Sequence, residues 1–292
     1  IADIAPALIS KIELILVELN IGMRKRQEKV VSNLEGINYR WSNIEDLILS
    51  PVTGVVIANE VLDAFPVERL VFTEKKVFRQ GVSLKKVTDE YFLEFVDLSP
   101  TTEIMEFIKD SNSLLNIEFP PKDICGRWVT EWHCDVPIWF RKLSQILLNG
   151  TLLVVDYAIE SKRYYNLIRK DGTLISYRNQ KSNSNILKDP GLSDITAHLC
   201  VESTINYALN NGWKFIGETR QGQALLALGL SKFLYSLQNT SNQNLSAALN
   251  RRESLLRLVD PMGLGEFRWL AFQKDNSNDL NLSKRFLQEP IN

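Results

Sequence analysis

The chain has 292 residues, 45% hydrophobic and 24% charged, an ordinary globular mix that excludes a disordered or collagen-like chain. Thirty-four Lys and Arg against thirty-five Asp and Glu leave a net charge of -1, so no nucleic-acid polyanion is expected as the main partner. At about 150 residues per domain, this length means two domains or one large α/β domain with insertions.

The chain opens on an apolar run, Ile1 to Ile9, with no Met and none of the order of a signal peptide. It reads as the end of a helix, and the chain as a fragment or processed form that lacks an N-terminal portion. Glu13 to Glu18 is almost wholly apolar and ends in an acid, which predicts a strand buried on both faces of a parallel sheet. Met23, Val30, Val31 and Leu34 mark one face of a helix that Gly36 closes. Ile37 to Trp41 reads as a second strand and Gly54 to Ala58 as a third, as apolar as the first. Val67 to Asp97 reads as strands with polar tips, an antiparallel meander inserted after the third strand. Val136 to Leu148 is a predicted helix carrying Trp139, Leu143, Ile146 and Leu147, with Gly150 as its stop. Thr151 to Asp156 is a fourth apolar strand ending in an acid.

Tyr157 to Leu199 reads as a long loop, rich in Asn and Ser near Asn179 to Asn185. Loops of this length in a compact domain are usually functional or mobile. A helix over Val201 to Asn210, with Gly212 behind it, leads into a strand at Trp213 to Glu218. Helices at Gln221 to Leu237 and Asn244 to Val259 precede a last strand, Glu266 to Gln273. Apolar strands alternating with amphipathic helices predict a doubly wound α/β sheet. The expected layout is one domain over residues 1–274, with insertions at about 67–120 and 157–200, and a polar tail over 275–292. The charge-free apolar stretches fall short of the roughly 18 residues a bilayer span needs.

In an open parallel sheet, ligands bind beyond the carboxyl ends of the strands. That rule selects Glu18, Asn59-Glu60 with Asp63 one turn on, and Asp156-Tyr157. Each of these apolar strands ends in a carboxylate, which can accept hydrogen bonds from ribose hydroxyls. The alternative is that charged residues are simply common where strands leave the core. His198, at the end of the long loop, is a candidate general base, or a residue that pins the loop. His133 and Cys134 are adjacent, poor geometry for one metal ion, and no metal site is expected. Cys125, Cys134 and Cys200 form no CxxC pair, which suits a reducing compartment such as a bacterial cytoplasm or, alternatively, the mitochondrial matrix. A nucleotide-binding α/β domain normally has a Gly-rich turn after its first strand. Gly263 and Gly265 make only a lone GxG, with Arg268 where a third Gly would stand, and read as a turn.

Three segments carry a family resemblance: Ile57 to Val67 (Ile-Ala-Asn-Glu-Val-Leu-Asp-Ala-Phe-Pro-Val), Val154 to Tyr157, and Asp189 to His198 (Asp-Pro-Gly-Leu-Ser-Asp-Ile-Thr-Ala-His). In order and spacing they resemble the signature segments of the MidA-like methyltransferases, which include a mitochondrial complex I assembly factor that methylates arginine. The match runs from about Ile1 to Lys274. It implies a class I methyltransferase fold, Rossmann-like, and S-adenosylmethionine as cofactor. The first apolar strand then corresponds to the family's second, and the family's first strand and Gly-rich loop have no counterpart. By position, Glu18 would hold the ribose of the cofactor, with Asn59 and Glu60 beside it. Glu60, Asp63, Asp156 and His198 would serve the acceptor. His133 and Cys200 depart from the family pattern.

The leading expectation is therefore an S-adenosylmethionine-dependent protein arginine methyltransferase acting on a subunit of a respiratory-type NADH dehydrogenase complex. A second reading, from a different class, is a non-catalytic assembly or binding protein that keeps the sheet without the cofactor loop. A third is a nicotinamide-dependent oxidoreductase, in which the Asn-Glu-x-x-Asp segment and the Asp-Pro-Gly loop would have no role.

Overall fold

A computed structural model of the chain describes residues 5–179, 181–236, 245–275 and 284–288. The start of the apolar run at Ile1, and the tail from residue 276 except 284–288, lie outside the described residues. Pro6–Lys11 form a short 3-10 helix that leads into β1 (Glu13–Val17). Asn20 caps α1 (Ile21–Val31): its side-chain oxygen accepts the Met23 N–H at 3.1 Å, one of the donors that the first helical turn leaves unpaired. β2 (Asn38–Ser42) pairs parallel with β1. A helix that the sequence pattern does not announce follows, α2 (Ile44–Leu49), capped by Asn43. β3 (Val52–Asn59) comes next.

The expected meander is β4 (Glu68–Thr73), β5 (Val77–Val87) and β6 (Glu90–Leu98). Its sheet is completed by a later strand. After α3 (Thr102–Leu115), β7 (Arg127–Trp132) pairs antiparallel with β4, giving the order β6-β5-β4-β7. This sheet has its own core, with Phe72, Phe107, Phe119 and Trp128 packed against Tyr164 and Tyr165 from the long loop.

α4 (Val136–Ile146) buries Val136, Phe140, Leu143 and Ile146, one face at helical spacing. β8 (Leu147–Asp156) begins directly where α4 ends. Gly150 is therefore no helix stop. It lies inside β8, opposite Gly54 of β3, with φ 145°. The 157–199 segment is less loop-like than its composition implies. It holds β9 (Ala158–Ile159), α5 (Ser161–Tyr164) and a small antiparallel sheet of β10 (Ile175–Arg178), β11 (Lys181–Asn183) and β12 (Asp194–Thr196). β13 (Leu199–Cys200), α6 (Val201–Asn210) and β14 (Lys214–Arg220) follow. The single helix expected over Gln221 to Leu237 is instead two, α7 (Gln221–Ala227) and α8 (Leu230–Ser236). Gly229 parts them with φ 96°, a backbone that glycine adopts without steric cost. α9 (Leu245–Val259) and β15 (Arg268–Lys274) complete the described elements.

The central sheet runs β14-β15-β8-β3, with β3 and β8 parallel and β15 antiparallel to both its neighbours. Leu62, Phe140, Leu152, Val154, Leu270 and Phe272 are fully buried against it. Each such side chain contributes on the order of 1.5–3 kcal/mol relative to exposure. Among the described residues, β1 pairs only with β2, and β3 only with β8. Between β1 and β3 runs a groove of about 400 Å³ lined by Leu14 and Val17, by Val55 and Ile57, and by Trp139 and Leu143 of α4. Val55 and Ile57 are 69% and 68% exposed. The burial on both faces expected for the Glu13 to Glu18 strand is likewise not met among the described residues: Leu14 and Val17 of β1 are exposed, and β1 has a paired neighbour on one edge, β2.

Candidate functional site

β3 and β8 are parallel, so their carboxyl ends lie side by side, and the chain leaves both of them at one edge of the sheet. At the end of β3, Glu60 takes φ 50°, a left-handed conformation that costs a non-glycine residue free energy. The corner is held from β8. The Glu60 N–H donates to the Val155 carbonyl at 2.9 Å. Asp156 Oδ2 accepts the N–H groups of Leu62 at 3.0 Å and Asp63 at 3.3 Å, and Asp156 Oδ1 accepts that of Tyr157 at 2.9 Å. Asp156 is 1% exposed. Its carboxylate organises the turn rather than facing solvent.

Asp63 is buried as well. Burial, with the charge of nearby Glu60, raises Asp63 to about 6, and burial with the charge of Asp63 raises Asp156 to about 7. Glu60 and Asn59 are the exposed members of the group, and Asn59 Nδ2 donates to Glu60 Oε1 at 3.2 Å. The folded chain thus binds more protons than the unfolded chain between about pH 4 and about pH 7. Stability from these acids is complete below the ordinary carboxylate range and is lost as the pH rises through their folded values. Urea unfolding of Asp63→Asn beside the parent chain across that window should show the parent losing stability relative to the variant. Parallel pH curves would mean that Asp63 titrates normally.

The end of the long loop closes over this edge. The Ala197 N–H donates to the Asp63 carbonyl at 3.0 Å, and the Leu199 N–H donates to the Tyr157 carbonyl at 2.8 Å. The His198 ring meets Tyr157 edge-on, 5.8 Å between centroids, and Tyr157 packs on Phe267 at 4.0 Å. Burial lowers His198 to about 4, so its imidazole is neutral at physiological pH. His133, also buried, is likewise lowered to about 4 by burial. Among the described residues, no group of three or more His, Cys, Asp or Glu is placed to hold a metal ion.

Asn59, Glu60, Asp63, Asp156 and His198, all selected from sequence, are thus brought together. Glu18 is not among their contacts. It stands at the end of β1, on the far wall of the groove, where Oε1 accepts the Asn20 N–H at 2.8 Å and Oε2 the Gln27 side chain at 3.4 Å. Sequence reasoning missed Arg268, which pairs in register with Asp156. Its guanidinium forms an ion pair with Glu160 and lies 3.7 Å from Glu218. It also missed Thr173 and Glu131, which support His198 from behind. An Asp-Gly turn signal at Asp171-Gly172 was the one local hint of them.

Among the described residues, no helix is long and apolar enough to cross a membrane. No curated protein matches the chain significantly. Among solved structures, a native crystal structure of a Burkholderia thailandensis protein superposes with a TM-score of 0.75 at 25% identity, covering 89% of this chain and 66% of that one. A second, a superfamily member from the same organism bound to S-adenosyl-homocysteine, gives 0.74 at 24% identity, covering 89% and 64%. The chain spans just under two thirds of the length of these two proteins. Their likeness bears out the class I methyltransferase-like architecture. The family model for S-adenosyl-L-methionine-dependent methyltransferases matches residues 1–219, more than half of the chain. On that match, with the fold in agreement, the chain belongs to this family of methyltransferases.

Proposed function

We propose that the protein transfers a methyl group from S-adenosylmethionine to an arginine side chain of another protein, and that the carboxyl edge of β3 and β8 is the acceptor site. The observation that carries this reading is Glu60. It is an exposed carboxylate on a left-handed corner that Asp156 helps to hold, at the edge where the His198 ring packs on Tyr157.

The cofactor supplies an electrophilic methyl group on a sulfonium. The residues present fit its ribose: Glu18 is a half-exposed carboxylate at a strand end, suited to two neighbouring hydroxyl donors. No glycine-rich turn adjoins Glu18 among the described residues.

On the acceptor side, methyl transfer is an in-line displacement, governed by holding the nucleophile at near-attack geometry. Glu60 can accept two parallel N–H groups of a guanidinium, which fixes its plane. Asn59 restrains the Glu60 carboxylate, and the Asp156 bonds restrain its backbone, so little reorganisation is needed. As the new C–N bond forms, the nitrogen must shed a proton. That nitrogen is strongly acidic at this stage, so a weak base suffices, and the neutral imidazole of His198 is the base assigned to take the proton.

The resemblance to the arginine-methylating assembly factor extends the proposal to a subunit of a respiratory-type NADH dehydrogenase as acceptor. Three unpaired cysteines accord with a reducing compartment. One rival reading is a non-catalytic binding protein of the same family. Calorimetry with S-adenosyl-homocysteine separates the two, since the rival binds none. For the enzyme, Glu60→Gln keeps the shape and removes the charge. It should lower kcat/KM on arginine peptides at least tenfold with cofactor affinity unchanged. Methylation at the parent rate would remove Glu60 from the acceptor site.

A further inference from the structure

The inserted sheet sends one buried acid toward the proposed site. Glu131, on β7, is 0% exposed. Its Oε2 accepts the Thr173 N–H at 2.8 Å and the Thr173 hydroxyl at 3.2 Å, with the Tyr164 hydroxyl at 3.4 Å. The Thr173 hydroxyl has one proton. Once that proton goes to Glu131, the lone pairs of Oγ1 are left to accept, and the His198 N–H donates to them at 3.0 Å. The donor sequence therefore runs one way, from the backbone of His198 through Thr173 to Glu131.

The surroundings are built to keep this contact. Gly172 has φ 75°, and a Cβ there would overlap the Glu131 carboxylate, so the backbone approaches the acid only because the side chain is absent. Arg69 of β4 lies 3.5 Å from Glu131 Oε1 and donates to the Asp171 carbonyl at 2.7 Å, fastening the same turn to the sheet. Val129 of β7 donates to the Lys170 carbonyl at 2.7 Å. With Ala197 bound to Asp63 and Leu199 bound to Tyr157, the residues on either side of His198 are tied to the β3 and β8 corners. Besides the ring contact with Tyr157, the Thr173 hydrogen bond ties His198 itself, through its backbone N–H.

We propose that Glu131 and Thr173 are positioning residues: together they carry the inserted sheet's rigidity to the backbone of His198 and fix its imidazole over the acceptor edge. The assignment rests on the proposed role of His198 in methyl transfer. It gives the insertion a purpose in the reaction, since an element that touches neither acceptor nor cofactor sets where the proton-accepting ring stands.

The test uses the full chain with Thr173→Val, which keeps shape and removes the hydroxyl, and Thr173→Ser, which restores it. Hydrogen exchange read at the His198 amide is the first measurement and needs no turnover. The amide should be protected in the parent and in Thr173→Ser, and should exchange at least tenfold faster in Thr173→Val. In methylation assays Thr173→Val should lower kcat several-fold with KM unchanged, and should add nothing to His198→Ala. Unchanged His198 protection in Thr173→Val overturns the assignment. Fast exchange of this amide in the parent chain overturns it without any variant, which covers a Thr173→Val chain that does not fold. If the amide loosens but Thr173→Val and His198→Ala both turn over at the parent rate, the contact exists and the role of His198 falls, and the positioning role falls with it.

Discussion

Replacing Asp156 by alanine is expected to cost the fold about 3–4 kcal/mol and to remove the acceptor corner with it. The carboxylate accepts three backbone N–H groups, those of Leu62 and Asp63 in buried contacts and that of Tyr157 in a half-buried one. Each buried donor left unpaired costs about 1–3 kcal/mol, and the three share one acceptor, so their costs do not simply add. Alanine also leaves a small void beside Leu62, which is fully buried. Released from these bonds, the Glu60 corner has less to hold its left-handed backbone, so the exposed carboxylate loses its orientation. Asp156→Asn is the informative companion. Its amide has one acceptor oxygen where the carboxylate has two, so at least one of the three donors stays unpaired. Urea denaturation gives the number, and a loss below about 1 kcal/mol for Asp156→Ala would show that the turn stands without it.

Gly150→Ala is expected to cost about 3 kcal/mol. Gly150 and Gly54 are register partners in β8 and β3, and a Cβ on Gly150 would overlap the Gly54 carbonyl oxygen. Its φ of 145° is also a conformation that only glycine adopts readily. Gly54 supplies an internal control. Its φ is 156°, yet a Cβ there meets nothing within 4 Å. Gly54→Ala therefore carries backbone strain without a clash, and should cost about 2 kcal/mol less than Gly150→Ala. Equal thermal or urea shifts for the two variants would mean that the strands part freely at this pair.

The same glycine shows where sequence reading stops. After an apolar helix, glycine commonly ends the helix. The fact that decides otherwise is its partner Gly54, far away in the chain. Patterns confined to one element were legible. Thr151 to Asp156 and Val201 to Asn210 form close to where periodicity puts them, because each buries its own apolar residues, and Glu13 to Glu18 forms a strand there too, though Leu14 and Val17 stay exposed. α2 was not legible, since Ile44–Leu49 is too short to show a helical period. At the site, the rule that carboxyl ends of parallel strands carry function found Glu60, Asp63 and Asp156. It could not tell an exposed carboxylate from one occupied by backbone donors, because those donors sit 93 and 94 residues away. Glu131 gave no signal of its own beyond the distant Asp171-Gly172 turn, since its partner Thr173 lies 42 residues on, in a segment that composition reads as loop.

The groove between β1 and β3 bears on how the chain behaves in company. Other outer strands are guarded in the usual way: β2, beside β1, carries Arg40, and β14, at the far edge of the central sheet, carries Lys214, Glu218 and Arg220. Charges on an edge discourage a foreign strand from adding to it. β3 reads Val-Thr-Gly-Val-Val-Ile-Ala-Asn, with no charge anywhere along it. Its unpaired backbone and exposed Val55 and Ile57 face β1 across a gap that extended chain can enter. Among the described residues, strand-by-strand recruitment of other molecules is thus favoured at this uncharged edge of the central sheet, and the colloidal behaviour of the described chain is governed from its β3 side rather than from β14.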